Sequence, residues 1–202
     1  MTHESERESP WIDDVELMRR VRRGDLTAFA QLVERHKAAV YTYLVRMVGD
    51  ETEAEDLAQM VFLQIFRSAR RYKPTAKFTT WLFTIARHLC LNELRRRKRH
   101  AADYIEDLHG GPAREIEVQL PDPRPAMPDS EVLKAEFFQM LEKALSQLPE
   151  NQRTAIILFS QQGLSYEEIA CVLGCSVQAT KSIIHRARLY LREVLKRYLR
   201  YG

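Results

Sequence analysis

The sequence predicts an all-α protein built from two helical domains that are joined by an extended linker. Apolar residues recur at three- and four-residue spacing along most of the chain, which is the pattern of helices that bury one face. Only seven glycines occur among 202 residues, which leaves little room for turn-rich β architecture. The periodicity fails between residues 100 and 130, where prolines and glycines exclude a continuous helix.

The first domain, residues 13–99, is expected to begin with a short helix that ends near Arg23. Asp25 is the expected N-cap of a longer second helix, and Gly49 is expected to end it. The inward stripe of this second helix is predicted to comprise Leu26, Phe29, Leu32, Val33, His36 and Val40. Two packed helices are therefore predicted before residue 50.

The third and fourth helices complete the predicted first domain. Thr52 with Glu55 has the spacing of a capping box and predicts the start of the third helix. A loop that contains Pro74 separates it from a fourth helix over residues 79–99. The predicted inward residues are Leu57, Val61, Phe62, Ile65 and Phe66 on the third helix, and Trp81, Leu82, Ile85, Leu89 and Leu94 on the fourth.

Residues 100–130 form the predicted linker, and this segment is acidic. Seven acids and two arginines give it a local charge of −5, although the whole chain carries +3, so the rest of the chain carries +8. A solvated spacer explains this acidity, and an acidic strand that mimics nucleic acid in a channel is the functional alternative. Both interpretations stay open at the level of sequence.

The second domain, residues 131–200, is again predicted to be helical. An apolar stripe leads to Pro149, which is expected in the first turn of a new helix that ends near Gln162. Ser165 and Glu168 form a second predicted capping box, and Gly174 is expected to end the short helix that follows it. A long last helix is expected to begin at Ser176 and to continue to about residue 200.

The last two helices and the tight turn between them have the dimensions of a helix-turn-helix, whose second helix enters the DNA major groove. A solvated basic face on an ordinary helical hairpin is the alternative. Polar and cationic residues cluster on the amino-terminal half of the last helix and suit a mixture of base-edge and phosphate contacts. They are Gln178, Lys181, Ser182, His185, Arg186 and Arg188.

The end of the fourth helix carries a second basic cluster, residues 95–99. Arg87, His88 and Asn92 precede it at spacings that share a face with Arg95 and Arg96, and a cationic helix end suits phosphates. Basic residues at a helix carboxyl end also complement the helix dipole, which is the structural alternative. Nearby Tyr72, Lys73, Lys77 and Phe78 place aromatic rings among cations, a composition typical of sites for unstacked bases.

Several function classes find no support in the sequence. No catalytic triad, phosphate loop or metal-ligand cluster is recognisable, so neither an enzyme activity nor a cofactor or metal is predicted. The chain shows no membrane-insertion or export signal, and a cytoplasmic location is expected. Cys90, Cys171 and Cys175 are predicted to be reduced core residues, with a redox pair or metal site at Cys171 and Cys175 as the alternative.

Three long motifs, in this order, resemble the extracytoplasmic-function (ECF) group of the sigma-70 family. EAEDLAQMVFLQIF resembles the region 2.2 that binds core RNA polymerase, and KFTTWLFTIARHLCLNELRRRKR resembles regions 2.3 and 2.4. LPENQRTA, GLSYEEIA and SVQATKSIIHRAR together resemble region 4. The resemblance covers about residues 17–195 and implies an alternative sigma factor whose two domains are region 2 and region 4.

The resemblance implies three sets of site residues. Contacts with the β′ clamp helices of core RNA polymerase are expected at Asp56, Leu57, Gln59, Met60, Val61 and Phe62. Capture of the melted minus-ten promoter element is expected at Lys73, Lys77, Phe78, Arg87, His88, Asn92, Arg95 and Arg96. Reading of the minus-thirty-five duplex is expected at Gln178, Lys181, Ser182, His185, Arg186 and Arg188. Further implied partners are the polymerase β flap, promoter DNA and an anti-sigma factor.

Three positions depart from the family pattern. Met60 replaces the usual glutamate, His88 stands where asparagine is common, and Ile183 stands where arginine usually contacts DNA. Promoter preference therefore cannot be transferred from relatives. A stand-alone repressor or activator is the rival from another class, and it predicts tight duplex binding to a palindromic site without polymerase. An RNA-binding or enzymatic helical protein is the third alternative, and it would require pocket chemistry that the sequence does not show.

Overall fold

The computed structural model describes residues 13–107 and 130–199, and the described residues form eight α-helices and no strand. The first helical unit contains α1 (Asp14–Arg22), α2 (Leu26–Val48), α3 (Glu51–Ser68), a 3-10 turn (Ala69–Arg71) and α4 (Phe78–Asp107). The second helical unit contains α5 (Ser130–Gln147), α6 (Glu150–Gln161), α7 (Tyr166–Leu173) and α8 (Val177–Leu199). The predicted all-α class is confirmed, and most of the predicted linker lies outside the described residues.

Helix starts test the capping predictions. Asp25 caps α2 as predicted, because its Oδ1 accepts a hydrogen bond from the Ala28 backbone at 3.0 Å. The predicted capping box at Thr52 is wrong. Asp50 caps α3 instead, with its Oδ1 2.8 Å from the Glu53 backbone nitrogen. Gly49 in the left-handed conformation (φ +75°) places Asp50 at the first position from which a carboxylate can reach the orphan amides.

Helix α4 is longer than predicted. It continues to Asp107, eight residues beyond the expected end at Arg99, and so includes the first part of the predicted linker. The sequence explains this extension, since no glycine or proline occurs between Arg99 and Gly110 and two alanines follow His100. The apolar periodicity ends near Arg99, but the helix itself does not.

The first unit packs α2 against α1, α3 and α4. Leu44, Ile65 and Leu82 are completely buried in its core. Asp14 ties α1 to α2 through Arg35 at 2.7 Å and His36 at 2.8 Å. Burial opposes ionisation of Asp14, but its hydrogen bonds to these two side chains outweigh that effect and lower its pKa.

The second unit packs α8 against α5, α6 and α7. The predicted capping box of α7 is present: Ser165 accepts from the Glu168 backbone, and the Glu168 carboxylate accepts from the Ser165 backbone. Pro149 is the N-cap of α6 and therefore lies one residue before its first turn.

The two units also pack on each other. Helix α4 contacts α7, and α2 contacts α5 and α6, so one buried apolar cluster runs through both units. At its centre the Tyr43 hydroxyl lies 3.4 Å from Thr154 Oγ1, and both residues are fully buried. Arg153 of α6 donates to the Met47 carbonyl oxygen near the end of α2 at 2.8 Å. The sequence predicted two helical domains, and in the structure their buried residues form one cluster.

The cysteines divide between core and surface. Cys90 is fully buried as predicted, and burial raises the pKa of its thiol to about 12. Cys171 is exposed and Cys175 is half-buried, so the prediction that all three are core residues is wrong for Cys171.

Within residues 13–107 and 130–199, no helix is both long and apolar enough to cross a membrane.

Candidate nucleic-acid interface

Helices α7 and α8 and the turn between them form the predicted helix-turn-helix. Gly174 ends α7 in the left-handed conformation at φ +68°, a conformation that suits glycine. Ser176 then caps α8 by accepting a hydrogen bond from the Ala179 backbone at 3.1 Å. Short-range hydrogen bonds therefore fix both sides of the turn and set the direction of α8.

The inner face of α8 is held by burial. Thr180, Ile184 and Ala187 recur at four- and three-residue spacing and are each at most 1% exposed. Thr180 directs its hydroxyl to the Ser176 carbonyl oxygen, which satisfies this buried polar group locally. The opposite face of α8 is consequently presented to solvent in one defined orientation.

The outer face of α8 carries the residues predicted to contact duplex DNA. Five of them are exposed: Gln178, Lys181, His185, Arg186 and Arg188. Two cations rest near aromatic rings, with Lys181 Nζ 5.7 Å from the centroid of Tyr166 and the Arg188 guanidinium 4.6 Å from that of Phe159. Ser182 is half-buried, and its hydroxyl donates to the Gln178 carbonyl oxygen at 3.1 Å.

The basic region of α4 divides into separate faces, although the sequence presents it as one cluster. His88, Asn92, Arg95 and Arg99 recur at four-, three- and four-residue spacing, and all four are exposed. We call these four residues the α4 strip. In the described part of the chain, neither Arg95 nor Arg99 makes an ion pair. The α4 strip is thus a cationic surface that remains open to a ligand.

Arg96 and Arg97, the neighbouring basic residues of α4, form ion pairs with carboxylates of the same unit. Arg96 binds Glu93 at 2.6 Å, and this hydrogen bond raises the pKa of Arg96 and lowers that of Glu93. Arg97 donates from Nε to Glu53 of α3 at 2.7 Å and from its guanidinium to the Val48 carbonyl oxygen at 3.3 Å. Arg97 therefore joins α4 to α2 and α3, a structural role that the charge pattern concealed.

The loop before α4 and the first residue of that helix hold three of the residues predicted to capture the minus-ten strand. Lys73 is exposed, and Lys77 pairs with Glu168 of α7 at 3.0 Å. Phe78 is only 3% exposed, and its ring packs 6.0 Å from Trp81 and 5.1 Å from His36. The buried ring of Phe78 supports the loop from within the core. Direct contact between Phe78 and an unstacked base stays a prediction.

Helix α3 carries the six residues predicted to contact the polymerase. Asp56, Gln59 and Met60 are exposed, as a docking surface requires, and Met60 is 50% exposed. Three other residues predicted to contact the polymerase are buried: Leu57, Val61 and Phe62. Their spacing places them on the inner face of the helix, and Phe62 also lines an apolar groove between α2 and α3.

An apolar groove beside this surface was missed. Leu26, Phe29, Leu63 and Phe66 line it between α2 and α3, together with other residues of both helices. Leu26 is 66% exposed and Leu63 is 46% exposed, which is unusual for large apolar side chains. Helical spacing predicted that Leu26 and Phe66 would be buried in the core, and this prediction is wrong.

Residues 13–107 and 130–199 contain no group of side chains suited to hold a metal ion.

Comparison with protein families gives two matches. Residues 32–100 match the family described as sigma-70 region 2, and residues 138–191 match sigma-70 region 4. The chain is 35% identical over 187 residues to the RNA polymerase sigma-H factor of Pseudomonas aeruginosa, covering 93% of this chain and 96% of that protein. It is 32% identical over 181 residues to the ECF RNA polymerase sigma factor SigW of Bacillus subtilis, covering 89% and 95% respectively.

Solved structures give matches that span both helical units. The sigma factor RpoE of Bartonella quintana, solved in complex with the anti-sigma factor NepR, superposes with a TM-score of 0.64 at 29% identity. That match covers 83% of this chain and 96% of the other. CnrH, solved with the cytosolic domain of CnrY, superposes with a TM-score of 0.67 at 24% identity over 91% of this chain and 97% of the other, and so supports the fold.

Proposed function

This chain belongs to the extracytoplasmic-function group of the sigma-70 family, and we propose how its surfaces divide the work of transcription initiation. As an alternative sigma factor, it binds core RNA polymerase and directs promoter-specific initiation by recognising minus-thirty-five duplex DNA and capturing the melted minus-ten element. Family members act as regulators of transcription, and we assign the catalytic chemistry to the polymerase. We place its action in the cytoplasm, where its template lies.

The observation that carries this division is the exposed outer face of α8 on a fixed helix-turn-helix. Lys181, Arg186 and Arg188 supply positive charge for phosphates, and Gln178 and His185 supply groups that can hydrogen-bond base edges. Because the inner face of α8 is buried, this surface is already formed before DNA arrives. We assign the minus-thirty-five duplex to it.

We assign minus-ten capture to the α4 strip and the adjacent loop. The strip lies along one side of α4, and exposed Lys73 extends the positive charge toward the loop. A melted strand exposes its phosphates and base edges, which arginine and asparagine side chains can bind. Flipping a base costs a few kcal/mol, and contacts along the strip offset that cost. Phe78 contributes by holding the loop in place.

We assign core-polymerase docking to the exposed edge of α3 and to the apolar groove next to it. Asp56 and Gln59 supply polar contacts, and the exposed side chains of Met60 and Leu63 supply apolar area beside them. Protein interfaces typically combine apolar area with surrounding polar groups. We propose that this surface binds the clamp helices of the β′ subunit. We assign the β flap to the second helical unit.

An anti-sigma factor is the expected regulatory partner. The Bartonella quintana sigma factor that matches this chain was solved in complex with one. Exposed apolar side chains occur in both units, since Leu26 and Met60 lie in the first and Phe138 and Leu189 lie in the second. A partner that covers these surfaces would block the polymerase and the promoter together.

Runoff transcription on a genomic promoter library tests the assignment. Core RNA polymerase is assayed alone, with this protein, and with an Asp56→Arg/Met60→Arg variant, whose two positions are exposed and should not disturb folding. A Glu193→Arg variant, altered at a position that is 76% exposed on α8, is the matched control. We expect promoter-specific transcripts with the wild type and the control, and strong loss with the docking variant.

Aligned start sites from the same experiment would define both promoter elements. Absence of specific transcripts, together with tight duplex binding by the protein alone, would contradict the sigma assignment and favour a stand-alone repressor or activator.

A further inference from the structure

The loop between the 3-10 turn and α4 is held at its two ends. Residues 73–77 are all exposed, and within this loop the Thr75 backbone donates to the Lys73 carbonyl oxygen at 2.8 Å. Tyr72, directly before the loop, and Phe78, directly after it, are both buried. An exposed loop makes few buried contacts of its own, so its path depends on where these two rings are held.

Three aromatic residues, Tyr72, Phe78 and Trp81, pack together at the ends of the loop, and we call them the aromatic cluster. The ring of Trp81 lies 4.9 Å from that of Tyr72 and 6.0 Å from that of Phe78, measured between centroids. The rings of Tyr72 and Phe78 lie 6.4 Å apart. These distances are ordinary for packed aromatic pairs. The aromatic cluster therefore sets the separation between the two ends of the loop.

His36 of α2 packs against the aromatic cluster and is itself held by α1. The centroid of its imidazole ring lies 5.1 Å from that of the Phe78 ring. Its Nε2 lies 2.8 Å from Asp14 Oδ2, and the His36 side chain is only 12% exposed. Because a hydrogen bond restricts rotation of the imidazole, Asp14 determines how this ring meets Phe78.

Asp14 is fixed in turn by a second donor. Its Oδ1 accepts a hydrogen bond from the Arg35 guanidinium at 2.7 Å, so both carboxylate oxygens are engaged. Asp14, His36 and Phe78 belong to α1, α2 and α4, so this chain of contacts joins three helices to one end of the loop. Neither Asp14 nor His36 is among the residues that we assign to minus-ten capture. Any influence of this pair on the strand therefore passes through the aromatic cluster and the loop.

We propose that Asp14 and His36 are positioning residues for minus-ten capture: Asp14 orients the imidazole, the imidazole holds Phe78, and Phe78 holds the loop that receives a flipped base. This inference rests on the minus-ten role that we propose for the loop and the α4 strip. A loop that is already in place binds a base without the entropic cost of ordering the loop at that moment. Loss of the pair therefore weakens selection of the flipped base more than it weakens general binding of the strand.

Binding of the polymerase holoenzyme to premelted templates measures selection of the base. Its affinity is compared between the mapped minus-ten sequence and a series of templates that each lack one base. The position whose removal weakens binding by the wild type most marks the flipped base, and the ratio of the two affinities is the base preference. We expect a base preference of about tenfold in the wild type, because stacking and hydrogen bonds to one base contribute roughly that much.

Three variants and one control test the chain of contacts. His36→Ala should lower the base preference to about threefold, and Asp14→Asn should lower it about twofold relative to the wild type, because the loop is then held less firmly. The double variant Asp14→Asn/His36→Ala should match His36→Ala alone, since Asp14 acts through His36. The matched control is Glu16→Gln, which alters a carboxylate of α1 that is 44% exposed and pairs with Arg19, and it should keep the wild-type preference.

Two results would overturn the positioning role. If His36→Ala weakens binding to the complete and the base-deleted templates equally, the pair supports the fold and not selection of the base. If the losses of Asp14→Asn and His36→Ala add in the double variant, Asp14 does not act through His36.

A variant that keeps the ring covers the case in which His36→Ala does not fold, which urea denaturation detects. His36→Phe retains an aromatic ring against Phe78 but cannot bind Asp14, and it should lower the base preference about twofold. An unchanged preference in this variant would show that the hydrogen bond from Asp14 does not orient the ring. If the wild-type holoenzyme shows no base preference at any position, the proposed minus-ten role itself fails, which is distinguishable from failure of the positioning role alone.

Discussion

The two helices that we assign to DNA binding, α8 and α4, hold their cations in different ways. On α8, Lys181 and Arg188 lie near aromatic rings, and their positive charges remain exposed. On α4, Arg96 and Arg97 are bound to the carboxylates of Glu93 and Glu53 within the first unit. Lys98 is bound to a carboxylate of the second unit.

A run of basic residues is therefore not a binding site of uniform strength. An aromatic ring orients a cation without cancelling its charge, whereas a carboxylate partner competes with phosphate. We therefore expect α8 to bind duplex DNA without rearrangement. We expect α4 to bind mainly through Arg95 and Arg99.

The largest expected effect concerns stability. Replacing Arg97 by Ala leaves the Glu53 carboxylate, which is only 17% exposed, without its partner, and should lower the free energy of unfolding by about 2–3 kcal/mol. Urea denaturation measures this change. Arg99→Ala, at an exposed position two residues away, is the control and should change stability by less than about 0.5 kcal/mol. Equal losses of stability in the two variants would contradict the structural role of Arg97 and would place it with Arg95 and Arg99 on the open cationic surface.

Next in size is the loss of duplex affinity on α8. Arg186→Ala should weaken binding to the mapped minus-thirty-five duplex about tenfold, because a base or phosphate contact to arginine is worth roughly 1–3 kcal/mol. Fluorescence anisotropy with the polymerase holoenzyme measures this affinity. Arg192→Ala, further along the same exposed helix, should have a much smaller effect. If both substitutions weaken binding equally, α8 attracts DNA only through its overall positive charge, and Arg186 makes no specific contact.

A smaller effect should distinguish two neighbouring arginines on α4. Arg95→Ala should reduce holoenzyme binding to a premelted minus-ten template about fivefold, whereas Arg96→Ala should reduce it less than twofold because Glu93 already holds Arg96. Competition binding at fixed salt measures both values. A larger loss of affinity in Arg96→Ala than in Arg95→Ala would contradict the division of α4 into an ion-paired face and an open face.

The smallest expected effect is an increase in affinity for the premelted minus-ten template. Glu93→Gln should release Arg96 and raise affinity for the same template about twofold. The hydrogen bond from Arg96 lowers the pKa of Glu93, so the pair is intact above the ordinary carboxyl pKa and is lost only as pH falls through the lowered value. The gain should therefore be constant across neutral pH. Binding measured at several neutral pH values checks this, and a gain that varied there would contradict it.

Helical periodicity and capping chemistry predicted much of the fold. Asp25, the Ser165–Glu168 box and Gly174 act locally, so their roles are readable within a few residues of sequence. Thr52 was misassigned because Asp50, two residues earlier, offered an equivalent oxygen. The length of α4 was underestimated because helix propensity continues where apolar periodicity stops.

The candidate sites were less predictable because they depend on contacts across the chain. Nothing local marks Arg97 as the partner of Glu53, 44 residues away, or distinguishes it from Arg95. Likewise, the burial of Phe78 and the exposure of Leu26 depend on which neighbouring helices cover each face. Residue type and spacing identified the surfaces, and packing decided which side chains reach solvent.

One measurement tests most directly the claim that α8 reads duplex DNA and α4 captures a melted strand. Transcription by the Arg186→Ala and Arg95→Ala holoenzymes is compared on a duplex promoter and on the same promoter with a premelted minus-ten segment. We predict that premelting rescues Arg95→Ala substantially, because it supplies the free energy that the α4 contacts otherwise provide for melting, and that it leaves the Arg186→Ala defect in place. Equal rescue of both variants, or rescue of Arg186→Ala alone, would contradict the account.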